Sequence, residues 1–468
     1  MSAAEAAAKE TSRTLIAGVA LSLECDPEGL PRAGGARHDV LLANGIVERI
    51  GAADTIEEGD AERIDGAGLV ALPGFTDLYG RLSEPGPGGR GSLASEARAA
   101  LAGGFTRVLC APDTDPVLDG TATLELVRRR VAVAPGAKVV PMAALTRGLN
   151  GRELAPLATL QALGCLAAGQ GDRPLDDAGV LLSAMRYAAS FDLPLVMTAR
   201  DARLGADGCA HEGAVATRLG LPGVPVAAET VALARLLELA RESGCRLHVS
   251  RLSSARGVAL VGEAKGAGLA VTADVGIHHL LFTDAELYGF DARYRSEVPF
   301  RGTADRDALR AGLRDGTIDT ICSDHAPLDG DAGLAPFPVR AAGLSAYDRF
   351  LALLLALPTL LDVSFERVLD SVVGAPSRML GLAPLAGEDA ASSIRLREGS
   401  VADLILVDPH RDSPPADSAE DGSTRFVSAG RNTPLAGVRD LADCTGERAT
   451  LVGAVRTAFV DGTRRFDA

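Results

Sequence analysis

The sequence predicts an α/β protein: a (β/α)8 barrel of TIM type joined to a small composite β-sandwich built from both chain termini. Three observations predict it. Between about residues 75 and 385, short apolar runs alternate with helical stretches roughly eight times, which fits a closed parallel barrel better than an open sheet. Polar clusters (PDTD, TARD, SRLSS, SDHAP) follow the apolar runs, at the strand ends where such barrels carry their sites. Both chain ends alternate like strands, and two β-rich ends flanking one barrel are expected to pair with each other.

Residues 1–72 supply the N-terminal part of the sandwich. TLIAGVALSL, HDVLLANGIVERIG and GLVALPGF read as strands, and Asn44-Gly45 between alternating apolar residues is a hairpin turn. The Pro- and Gly-rich stretch from Asp26 to Arg37 reads as a surface loop. Residues 73–385 form the barrel, in units such as TRVLCAP after SEARAALAGG and RLHVSRL after ETVALARLLELARESG. Residues 386–468 complete the sandwich through VADLILVD and TLVGAVRTAFVDGTRRF, which turns at Asp461-Gly462. Between these two, DSPPADSAEDGST reads as a polar, mobile loop.

The 468 residues include 47 basic and 62 acidic side chains, a net charge of −15. That balance excludes a phosphate-backbone partner, which needs clustered Lys and Arg. No apolar run is long enough to span a membrane, and the start MSAAEAAAKETSRT lacks the pattern of a signal peptide, so a cytoplasmic protein is expected. The seven cysteines are scattered without a C-x-x-C pair and read as reduced thiols. The seven histidines form neither H-x-H nor H-E-x-x-H, and Lys9, Lys138 and Lys265 are the only lysines.

Residues 71 to 86, ALPGFTDLYGRLSEPG, resemble the APGFVDLHVHLREPG motif of the dihydroorotase branch of the amidohydrolase superfamily. The likeness continues in order through GGFTRVLCAPDTDPVLD, HEGAVATRLGLPGVPVAAE, RLHVSRLSSA, IHHLLFTDAELYGFDARYRSEVPFRG, TIDTICSDHAP, APSRMLGL, SVADLILVDP, GRNTPLAG and VRTAFVDG. The resemblance implies an amidohydrolase barrel that opens a cyclic amide with one or two zinc ions, which acidify bound water and polarise the carbonyl.

The sequence departs from that pattern where the chemistry resides. The resemblance puts Tyr79 and Arg81 at the first two histidine ligands, Thr198 at the third and Arg251 at the fourth. The bridging acidic or carboxylated-lysine position falls near Gln170 and Gly171. Only Asp324, in SDHAP, is retained, as a vestige of the residue that binds metal and shuttles the proton in active relatives. One carboxylate does not make a zinc site, which takes about three protein ligands, and a guanidinium is a charged, donor-only group. No metal and no other cofactor is therefore expected. The substrate-binding positions change in parallel, the arginine to Ser83, the asparagines to Asp113 and Glu297, and a histidine to Leu328. Dihydroorotate is an anion, so these carboxylates are expected to repel it. Asp324 without zinc needs another positive partner, and a guanidinium–carboxylate pair with Arg81 or Arg251 is expected.

Other candidate groups have plainer readings. His325 beside Asp324 points to the opposite face of a strand and reads as structural, as do His278 and His279. Cys322 reads as an inert buried thiol. Asp172, Asp176, Asp177 and Asp201 read as surface loop carboxylates. The resemblance includes metal-less members that scaffold aspartate carbamoyltransferase. It thus implies an inactive dihydroorotase-like subunit of pyrimidine biosynthesis that stabilises that enzyme's catalytic chain in a homo- or hetero-oligomer. Two alternatives stay open: an active zinc-dependent dihydroorotase or related cyclic amidase with Asp324 as base, and a homo-oligomeric scaffold unrelated to pyrimidines.

Overall fold

A computed structural model describes residues 13–26, 31–82, 84–86, 90–382, 394–413 and 426–468. Eight parallel strands follow one another through the middle of the chain: Phe75–Gly80, Phe105–Cys110, Lys138–Pro141 continued by Ala143–Ala144, Ala168–Gly169, Leu195–Thr198, Leu247–Ser250, Val271–Gly276 and Thr320–Cys322. A parallel bridge between Gly80 and His325 brings the last strand back to the first and closes the barrel. These are the strand–helix repeats read from the sequence, and closure leaves no unpaired edge.

The strands are short apolar runs because the barrel wall is buried on both faces. Helices wrap the outside with their own start and stop signals. Leu93–Ala102 begins with a capping box between Ser92 and Ser95. Val226–Ser243 ends at Gly244, whose φ of +68° closes the helix in the left-handed region. The helix Tyr347–Leu361 is apolar nearly all round and almost wholly buried. Its Phe350 ring lies 4.4 Å from Phe105, which packs edge-on against Phe75 at 6.0 Å, so this helix anchors the second strand from outside.

The two ends of the chain make one continuous eight-stranded sheet. Strands Thr14–Cys25, Pro31–Ala43, Ile46–Ala52, Glu62–Asp65 and Val70–Pro73 join Leu404–Asp412, Val452–Val460 and Thr463–Asp467, with Val70–Pro73 pairing antiparallel to Leu404–Asp412. Ile16, Val40, Leu404, Leu406 and Phe459 form its own apolar cluster. Both expected hairpins are present: Ala43 pairs Ile46 across Asn44 (φ +53°) and Gly45 (φ +81°), and Val460 pairs Thr463 across Asp461 and Gly462. The expected loop from Asp26 to Arg37 is corrected in part. Residues 31–37 are strand, paired through irregular steps to residues 20–25. Bulges let a glycine-containing, exposed segment stay in a ladder, and loop composition conceals this. Residues 27–30 of that stretch and most of DSPPADSAEDGST lie outside the described residues.

Lys138 Nζ ties the barrel to this sheet, 2.7 Å from both Asp403 and Asp461. Among the described residues no helix is long and apolar enough to cross a membrane.

Candidate functional site at the barrel mouth

The C-terminal ends of the strands converge on one cluster. Tyr79 lies at the end of the first strand with Arg81 just beyond, and Asp113 follows the second. Asp172 follows the fourth, Thr198 ends the fifth, Arg251 follows the sixth and Asp324 the eighth. Short βα loops keep each side chain within reach of the axis.

Arg251 is the hub, its side chain 1% exposed. Its Nη1 donates to Asp324 Oδ1 at 2.9 Å, and its Nη2 donates to Thr198 Oγ1 at 2.7 Å and to Asp172 Oδ1. Its guanidinium carbon lies 3.8 Å from the centroid of the Tyr79 ring, a cation–π contact. The Tyr79 hydroxyl donates to the same Asp172 oxygen at 3.2 Å. Arg81 closes the other side, pairing with Asp113 at 3.0 Å and with Asp172. The expected pair with Asp324 is thus made by Arg251, not Arg81. Backbone at both ends of that pair is in the left-handed region, φ +58° at Arg251 and +49° at Asp324. Such non-glycine conformations cost of order 1–3 kcal/mol each and persist where surrounding contacts enforce them.

Electrostatics hold the cluster in one charge state. Burial works to lower the Arg251 pKa, yet Tyr79 and Asp324 beside it raise it above the ordinary value, so the guanidinium stays charged. Burial pushes the Tyr79 phenol up to about 12, which keeps it neutral. At the rim Glu297 pairs with Arg200 at 2.6 Å, and Arg81 and Arg200 hold its carboxyl below the usual range despite burial. The sequence led us to expect Asp113 and Glu297 to present bare negative charge. Instead each is paired with an arginine, Asp113 with Arg81 and Glu297 with Arg200. A cavity of about 360 Å³ opens beside the cluster, lined among others by Arg81, Asp113, Thr114, Arg173 and Glu297.

Not every candidate belongs here. Gln170 is buried and turned onto Thr146, with its amide and carbonyl both bonded to Oγ1. Leu328 is buried with its amide held by Asn432 Oδ1. Ser83 lies outside the described residues. His325 is structural as expected: its Nε2 donates to Glu96 at 2.9 Å, its Nδ1 accepts from the Ala346 amide, and its ring stacks on Tyr347. Cys322 donates to Asp274, and burial lifts its pKa well above the usual thiol value. His278 stacks on Phe282, and His279 donates to the Val298 carbonyl. The acidic loop cluster needs a correction. Asp177 caps a helix and Asp201 accepts the amides of Arg203 and Leu204, as loop carboxylates do. Asp172 instead sits at the centre of the site between two arginines, which only the packing of the fourth loop reveals.

These residues do not fit zinc. Asp324, Asp172 and Asp113 each already carry a guanidinium, which has no lone pair to offer a cation. Among the described residues no three His, Cys, Asp or Glu side chains come together as a metal-binding group.

Fold and site together define a barrel of the amidohydrolase type, with its polar cluster at the strand C-termini. A family model described as Dihydro-orotase-like matches residues 68–256. Dihydroorotase-like proteins of Pseudomonas putida and Pseudomonas aeruginosa are 40% and 41% identical, each over 91% of this chain, covering 93% and 94% of their own lengths. A dihydroorotase of Anaeromyxobacter sp. (strain K) is 37% identical over 88% of this chain and 92% of its own. Among solved structures, the L-hydantoinase of Arthrobacter aurescens superposes with a TM-score of 0.74 at 21% identity, covering 96% of this chain and 95% of that one. The chain belongs to the dihydroorotase-like family of amidohydrolases.

Proposed function

We propose that this protein is a non-catalytic dihydroorotase-like subunit that holds no zinc and stabilises the catalytic chain of aspartate carbamoyltransferase. The observation that carries the non-catalytic part is the Arg251 guanidinium on Asp324, which blocks the carboxylate that would bind metal and move a proton. With Oδ1 held in this buried ion pair the carboxylate is stabilised in its charged form beside a fixed cation and is a poorer base and metal ligand, and among the described residues no other group of three His, Cys, Asp or Glu side chains could hold a metal. The assembly role rests on family membership. The two relatives at 40% and 41% identity carry the name dihydroorotase-like protein, and the scaffolding role is the one that the resemblance to metal-less dihydroorotase-like proteins implies.

Metal content of protein purified without chelators, with dihydroorotate hydrolysis assayed on the same sample after zinc addition, tests the first part. No metal and no turnover are expected; stoichiometric zinc with turnover overturns it. Co-expression with the aspartate carbamoyltransferase catalytic chain of the same organism tests the second. A mixed assembly that is more stable than the transferase alone is expected, and migration as two independent species overturns it.

A further inference from the structure

The cluster does more than block a site. It ties together the barrel wall at the end where the strands have run out of backbone partners. Through Arg251 alone, the loops or ends of the first, fourth, fifth, sixth and eighth strands are joined: Tyr79, Asp172, Thr198, Arg251 itself and Asp324. Arg81 extends the tie to the second strand through Asp113. The arrangement around the Arg251 head group is that of a cation cage. Two carboxylates and one hydroxyl face its N–H groups, and an aromatic ring covers its face. The seventh strand closes in beside it at Gly276, where an added Cβ would lie 3.1 Å from His279 Nδ1 and 3.4 Å from Asp324 Cβ, so the cage has no spare room on that side. His279 Nδ1 is buried and has no hydrogen-bond partner among the described residues.

We propose that the centre of this barrel is a cation site whose resident is the Arg251 guanidinium, which takes the charge-neutralising and strand-tying place of a bound ion, so that vacating it leaves a site for a free guanidinium-type cation. The inference rests on the reading that no metal occupies the barrel centre. It adds that the cage still demands positive charge and that the chain supplies it from within. Removing the resident strands Asp324 and half of the pairing of Asp172 in a buried setting, which is more costly than leaving one partner of an exposed pair. Removing Asp324 costs less, because Arg251 keeps Asp172, Thr198 and the Tyr79 ring.

The experiment is thermal unfolding of the full chain as wild type, Arg251→Ala, Asp324→Asn and the double variant, each with and without EDTA and with millimolar methylguanidinium chloride. Wild type is expected to be unaffected by either addition. Arg251→Ala is expected to lose about 3–5 °C in Tm. Asp324→Asn should lose less, and the double variant less than the sum. Methylguanidinium should raise the Tm of Arg251→Ala saturably and that of the double variant less. Equal stability of Arg251→Ala and wild type, strictly additive losses, or no response to methylguanidinium overturns the proposal. If Arg251→Ala does not fold, the decision passes to the other proteins: a smaller but measurable loss in Asp324→Asn with an EDTA-insensitive wild type supports it. An Asp324→Asn variant as stable as wild type, or a chelator-induced fall in Tm, overturns it. Bound zinc with turnover defeats the non-catalytic reading instead, and is read from metal content and activity rather than from Tm.

Discussion

Glu96 is the residue whose removal the structure prices most clearly. It sits on the first barrel helix with no exposed surface, and four donors converge on its two oxygens. Oε1 accepts from Ser95 Oγ at 2.8 Å and from the Ala429 amide at 3.0 Å. Oε2 accepts from His325 Nε2 at 2.9 Å and from Ser428 Oγ at 2.6 Å. The carboxylate therefore joins that helix to the end of the eighth strand and to a segment more than three hundred residues downstream. In Glu96→Gln one oxygen becomes an amide nitrogen that faces a serine hydroxyl, which can turn to accept from it, and an N–H, which cannot, so one of the four bonds is lost at nearly unchanged volume. A bond to a charged group is worth about 1.5–3 kcal/mol, which puts the loss at about that size. Urea unfolding followed by far-UV circular dichroism measures it, since the chain has no tryptophan. A loss below about 1 kcal/mol would show that the segment around Ser428 is held by apolar packing and that the network is incidental. A pH series supplies a second check. Although burial opposes it, the bonds from His325 and Ser428 hold the Glu96 carboxyl below its ordinary 4.5. Its contribution is therefore full above that pH and is lost as pH falls through the depressed value, a slope that Glu96→Gln should remove.

Three further outcomes follow from other contacts. Gly74→Ala, between the terminal sheet and the first barrel strand, would place a Cβ 2.1 Å from Thr106 Oγ1 and 2.6 Å from its Cβ. A stiff β-branched neighbour does not swing away, so a loss of about 2 kcal/mol or more in urea unfolding is expected. Lys138→Met strands Asp461 and leaves Asp403 with Arg107 at 3.5 Å, and because the lysine is partly exposed the expected loss is about 1 kcal/mol by the same measurement. Cys322 and Cys110 are buried, with thiol pKa values raised, that of Cys110 to about 12. Neither should react with a disulfide reagent until the chain unfolds, which mass spectrometry of labelled peptides reads directly.

The fold class was legible because it is written in local periodicity. Apolar runs of strand length alternating with helices imply a barrel wall whatever the loops contain. The hairpins at Asn44-Gly45 and Asp461-Gly462 were legible because two consecutive positive φ values at a tight turn restrict the residue types. The strand over residues 31–37 was not legible, since its glycines and exposed polar residues look like a loop, and long-range pairing with residues 20–25 makes it a strand. The same limit applied at the site. Residue type alone showed that Tyr79, Arg81, Thr198 and Arg251 are poor zinc ligands and offered Arg81 or Arg251 as the partner of Asp324, but it did not choose between them and assigned no partner to Asp113, Asp172 or Glu297.

By itself the sequence determined the barrel, the turns and the poor donor chemistry of the residues at the positions the resemblance marks, because propensity, periodicity and donor chemistry are properties of single residues and short windows. Only the tertiary structure decided which charges meet. Arg251 reaches Asp324 across 73 positions and Asp172 across 79, and Arg200 reaches Glu297 across 97. Asp172 became central, and Asp113 and Glu297 became paired with arginines, because barrel closure brought the ends of distant strands within hydrogen-bonding distance in a place from which water is largely excluded.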